Sequence, residues 1–169
     1  HSTGQVFYND TISSYLNGLK DWILKGHPKR GDIHIYLTRH TRFNAFTNDY
    51  GDIYVNVACV AKCKSVYHLL ALLSHEIAHI LNEHTHGFAQ DSESKRHKLE
   101  EKPEEKLLSQ HQYRREQEYE ADHDGFLRLD QLNIDLQQSI ALFELLENDA
   151  DPAISGQTSL EIFFEHDTT

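Results

Sequence analysis

Apolar residues recur at helical spacing early in the chain, where Ile12, Tyr15, Leu16, Leu19, Ile23 and Leu24 fall on one face before Gly26 and Pro28. This predicts an amphipathic helix from Thr11 to Lys25, with the glycine and proline as stop signals. The pattern then changes to alternation. Asp32 to Thr38 reads as a strand, and Asn44-Ala45-Phe46 and Ile53 to Val57 flank a turn-rich Asn48-Asp49-Tyr50-Gly51-Asp52, which predicts a small sheet with a hairpin. From Val66 to about Glu83, the residues Leu69, Leu70, Leu72, Leu73, Ile77, Ile80 and Leu81 are apolar around most of a helical circumference, as in a buried helix.

Polar and charged residues dominate from Thr85 to Pro103, which predicts a loop or mobile flap. Two further helical runs extend from about Glu104 to Leu129 and from about Leu132 to Glu147, ahead of a break at Asp151-Pro152. Ser159 to Glu165 has the character of a last short helix. No internal repeat is evident, so a solenoid is excluded. The fold class expected is α+β, mainly helical with a small edge sheet, as one domain over residues 1–169.

Composition narrows the function classes. A length of 169 residues with 38% hydrophobic content suits one core. The net charge of −11 argues against nucleic acid, whose binding needs a basic footprint. The longest apolar runs fall far short of the roughly 18 residues needed to span a bilayer. The chain opens at His1 and contains no Met, which suggests a processed or excised piece of a longer product, with membrane association through a missing segment left open. Cys59 and Cys63 are the only cysteines; two free thiols are expected, a local disulfide being the alternative.

The chemistry is concentrated inside the buried helix, at His75-Glu76-Ile77-Ala78-His79. Histidines at i and i+4 on one helix can share a metal, and the glutamate between them can act as base toward the water that the metal activates. A catalytic zinc takes three protein ligands. The variant with a third histidine six residues on is excluded, because Thr85 stands there and Asn82 replaces its glycine. A carboxylate from a later helix remains. Glu118 and Asp122 have the spacing for a ligand and for an acceptor of the far ring N–H of a histidine, but Glu116 with Glu120 and Glu120 with Asp124 have it too.

Three segments together closely resemble metallopeptidase family 48, the family of the CAAX prenyl endopeptidase, the HtpX-like membrane proteases and soluble periplasmic relatives. They are the HExxH stretch followed by His84, Arg115 to Gly125 as R-x-x-E-x-x-A-D-x-x-G, and Asn44-Ala45-Phe46 followed by Gly51-Asp52-Ile53-Tyr54-Val55. The resemblance implies a gluzincin-type zinc endopeptidase acting on peptide or protein substrates, with one Zn2+ held by His75, His79 and Glu118. It implies Glu76 as general acid/base, Asp122 as the carboxylate behind a ligand histidine, and Asn44 and Ala45 as the edge strand that receives substrate. It leans towards a bacterial envelope or secreted setting.

The family's later His-Pro pair is missing after Asp122, since the only His-Pro is His27-Pro28. The oxyanion stabiliser is therefore unassigned, with His123, Tyr113, Tyr119, Arg128 and His166 as candidates and a residue beyond Thr169 in a longer product as the alternative. An inactive or latent zinc-binding relative serving as an interaction module is the alternative reading, one latent form having His84, His86, His97 or His111 reach the metal. His34 and His40 are expected to be ordinary histidines, and His84 a structural residue or a support for the ligands.

Overall fold

In the computed structural model of the chain, the residues described are 6–7, 11–48, 50–84 and 103–149, with side chains described outside 103–113 and 143–149. The expected flap and short C-terminal helix, with His86, His97 and His166, lie outside these residues. So do the side chains of His111 and Tyr113.

Leu16, Leu19 and Ile23 point inward from the first helix, α1 (Thr11–Ile23), while Ile12 and Tyr15 stay partly exposed at its N-terminal end. The helix is tied to the sheet by Asn17, whose amide donates to the carbonyl of Ile35 at 2.8 Å and accepts from the Ile35 N–H at 3.1 Å. A side-chain amide thus pairs with the strand as a neighbouring backbone would.

The sheet contains β1 (Val6–Phe7), β2 (His34–Thr38), β3 (Ala45–Thr47) and β4 (Asp52–Asn56) in the order β1-β2-β4-β3. The expected hairpin forms, with Ala45 opposite Val55 and Thr47 opposite Ile53. Gly51 takes φ 84° in its turn, a conformation open to glycine without strain. β2 and β4 run parallel, and β3 is left at the edge. Alternation sends Ile35, Leu37, Ile53 and Val55 into the core. On the opposite face Tyr36, Tyr54 and Phe46 stack across three strands, with ring centroids 5.6 and 5.2 Å apart.

The strand expected through Val57 stops at Asn56, and a short helix, α2 (Val57–Lys62), follows. Asn56 ends the strand by turning its side chain inward, where it accepts from Thr38 Oγ1 at 2.6 Å and donates to the Arg42 carbonyl at 3.0 Å. Cys59 in α2 and Cys63 just after it form no disulfide, and burial pushes the Cys63 thiol up to about 12, so it stays protonated.

The central helix, α3 (Val66–Leu81), is capped by Ser65, whose hydroxyl accepts from the His68 N–H at 3.4 Å. It packs against α1, β3 and two later helices, α4 (Pro103–Gln131) and α5 (Leu136–Asp149). Being covered on so many sides explains its nearly all-round apolar pattern. The architecture is α+β, a helical layer on a small mixed sheet.

Candidate metal centre

The site forms where α3 and α4 pack against each other. His75 and His79, one turn apart on α3, bring their Nε2 atoms to 3.0 Å. Glu118 of α4 places Oε2 3.4 Å from His75 Nε2 and 3.7 Å from His79 Nε2. Of the carboxylate pairs left open by spacing, Glu118 and Asp122 are the ones that meet these rings. Asp122, one turn after Glu118, lies with Oδ1 2.7 Å from His75 Nδ1. Glu116 is exposed, Glu120 contacts His84 instead at 3.2 Å, and Asp124 accepts from the Asn82 amide at 2.9 Å.

Close packing of the two backbones makes this possible. A Cβ built on Gly125 would lie 3.1 Å from the His75 backbone nitrogen and 3.2 Å from the Ser74 carbonyl carbon. A glycine lets α4 come this near to the start of the histidine pair without shifting those backbone atoms by a few tenths of an ångström.

Electrostatics follow from the crowding. Burial by itself lowers the basicity of His75, but hydrogen bonds to Asp122 and Glu118 outweigh it and push its pKa up to about 10. Burial raises the Glu118 carboxyl, yet hydrogen bonds from His75 and His79 hold it well below the usual range. Glu76 is only 7% exposed, and burial raises its pKa against the lowering influence of the two histidines. The site therefore holds carboxylates that favour a positive charge between the rings.

His75, His79 and Glu118 are the only group among the described residues whose ligand atoms could hold a metal, all within 4.8 Å of one another. The donor set fits zinc: two imidazole nitrogens and one carboxylate, with the far nitrogen of each ring already engaged. Two Nε2 lone pairs turned toward each other and toward a carboxylate repel, and a shared cation removes that repulsion.

The profile of peptidase family M48 matches residues 19–91, a stretch that runs from the end of α1 through β2, β3 and β4 to the HExxH helix and stops before α4. This match supports membership of peptidase family M48. Members of this family are zinc-dependent peptidases, and the match suggests peptidase activity on a protein or peptide substrate. No curated protein sequence matches it significantly. No helix among the described residues is long and apolar enough to cross a membrane.

The remaining expected residues are placed as follows. Asn44, just before β3, lines the same cavity as His75 and Glu76. Its carbonyl accepts from the Asn56 N–H and from Cys59 Sγ, both at 3.1 Å. Ala45 opens the edge strand. His34 is exposed and lies 3.8 Å from Asp52, and His40 is exposed. His123 sits on the surface beside Asp124. Glu120 was visible in the sequence only as one of several equivalent carboxylates; its contact with His84 depends on a turn after α3 that spacing does not encode.

Proposed function

We propose that the chain is a zinc-dependent endopeptidase in which His75, His79 and Glu118 hold one Zn2+ and Glu76 is the general acid/base. The observation that supports this most directly is the convergence of two Nε2 atoms and the Glu118 carboxylate beside a buried glutamate. Zinc in that position supplies Lewis acidity toward a water and toward the substrate carbonyl.

The chain's own groups then act around it. Glu76 takes a proton from the attacking water onto its carboxylate and returns it to the leaving amine nitrogen. Its raised proton affinity, caused first by burial, suits it to both halves of that transfer. Asp122 accepts from His75 Nδ1 and so holds the ring with Nε2 toward Glu118. The edge strand from Asn44 and Ala45 pairs with an extended peptide through main-chain hydrogen bonds. The cavity beside it, about 190 Å3, continues from His75 and Glu76 to an apolar wall of Ala71, Leu72, Phe126, Leu129 and Leu142. That wall suits an apolar substrate side chain next to the scissile bond.

Elemental analysis of zinc, with casein cleavage on the same samples, tests the reading. Wild type carries about one zinc per chain; Glu118→Ala loses it, whereas Glu76→Gln keeps it and loses at least about 100-fold in turnover. Zinc binding without Glu76-dependent cleavage would instead identify a latent relative or interaction module, and undiminished proteolysis by pure Glu76→Gln would remove Glu76 from its role.

A further inference from the structure

The two histidines of the centre are supported differently. His75 Nδ1 meets a carboxylate directly, Asp122 at 2.7 Å. His79 Nδ1 meets another imidazole, His84 Nδ1, at 2.9 Å, and the two rings stand nearly edge to face at 75°. The second nitrogen of that ring, His84 Nε2, lies 3.2 Å from Glu120 Oε2. We propose that Glu120 and His84 form a relay that fixes the tautomer of His79, with His84 as a positioning residue for the metal centre; this rests on the zinc reading above.

The direction of the relay follows from donor and acceptor chemistry. An ionised carboxylate cannot donate, so His84 Nε2 carries the proton toward Glu120. In the neutral ring His84 Nδ1 is then an acceptor, and His79 Nδ1–H donates to it. His79 Nε2 is left with its lone pair facing His75 Nε2 and Glu118. For an ionised Glu120 and two neutral rings, this is the only arrangement that makes both bonds. It performs through one intervening ring what Asp122 performs directly.

The backbone is built to present His84. Glu83 takes φ 58°, a left-handed conformation that costs a non-glycine residue about 1–2 kcal/mol. That turn reverses the chain so that the His84 N–H donates to the His79 carbonyl at 3.0 Å and the Glu83 N–H to the Ile80 carbonyl at 3.3 Å. The His84 carbonyl accepts from the Gln117 amide of α4 at 3.2 Å. His84 is 7% exposed and Gln117 equally so, whereas Glu120 reaches the surface. His84 is thus anchored at its N–H, its carbonyl and both ring nitrogens.

The test uses the full chain and two readouts besides cleavage. Zinc affinity, measured by competition with a chromophoric chelator, should fall about 10-fold or more in His84→Ala and in Glu120→Ala, the usual scale for loss of a group behind a ligand. Glu120→Gln, which keeps a carbonyl acceptor, should recover most of the loss. Because Glu120 is exposed, its variants report even where His84→Ala unfolds. Nitrogen-15 NMR of the ring nitrogens, with and without zinc at mildly alkaline pH, should find His84 protonated at Nε2 and bare at Nδ1. A His84 proton on Nδ1, or affinities for both alanine variants within about twofold of wild type, overturns the relay. A wild type that fails to bind zinc sinks the metallopeptidase reading, and the nitrogen pattern still decides the relay.

Discussion

Ser74 donates its hydroxyl to the carbonyl of Gly125 across 2.7 Å, in a fully buried bond between α3 and α4. The donor immediately precedes His75 and the acceptor lies three residues after Asp122, so this bond helps set the register in which His75 and Asp122 meet. Gly125→Ala puts a methyl 3.1–3.3 Å from backbone atoms of α3, and a shift of a few tenths of an ångström between the helices is needed to relieve it. We expect it to cost about 1–3 kcal/mol and to weaken zinc binding. Ser74→Ala should cost about 1 kcal/mol with a smaller loss of affinity. Urea unfolding and chelator competition on both variants check this; a Gly125→Ala protein with unchanged zinc affinity would show that the close approach does not matter to the site.

Asp122 backs His75 from a position 5% exposed. Asp122→Ala should weaken zinc retention about 10-fold or more, as losses behind a ligand do. Equilibrium dialysis against a buffered zinc series measures it, and an unchanged affinity would argue for a different helix register.

Glu83 holds its left-handed turn without the usual glycine. Glu83→Gly should raise stability by up to about 1 kcal/mol, since its ion pair among the described residues, with Lys29 at 4.0 Å, is exposed and weak. A lower midpoint in urea for the glycine variant would contradict the strain argument.

Asp21 is held below its ordinary 3.8 by hydrogen bonds from Arg30 first and then from Lys20. Lys20 is 5% exposed, with its ammonium 2.7 Å from Asp21 and donating to the Arg30 carbonyl at 2.8 Å. A folded-state pKa below the unfolded one gives stability that is present above about pH 4 and is lost as pH falls through the folded value. Asp21→Asn should therefore lower the melting temperature near neutrality, with the gap from wild type constant down to about pH 5 and closing below about pH 4. Thermal melts across that range decide it; a gap that grows on acidification would reverse the sign and refute the assignment.

The apolar wall of the cavity predicts substrate preference. Among matched peptides differing only beside the scissile bond, leucine or phenylalanine should be cleaved about 10-fold or more faster in kcat/KM than aspartate, which would face Glu76 and Glu118 at the mouth. Equal rates would exclude the cavity as a side-chain pocket.

What the sequence determined by itself is local. Two histidines four residues apart in an apolar run have to share a helix face, because 3.6 residues per turn puts them there. The hairpin follows equally from Asn48 to Asp52 between two alternating segments, and α1 from its spacing and its stop signals. Other features depended on which surfaces meet. Val57 continues the alternation of the strand in sequence, yet starts a helix because Asn56 is turned inward and ends β4. Glu116, Glu118, Glu120, Asp122 and Asp124 repeat the same periodicity, so no count of spacing could rank them. The Ser74–Gly125 contact helps to select among them by constraining how α4 rotates and slides against α3. Likewise His84 is one histidine among 13 until the left-handed Glu83 folds it back onto His79. Helical periodicity is a property of neighbours in the chain; the choice of partner belongs to the packing of segments more than thirty residues apart.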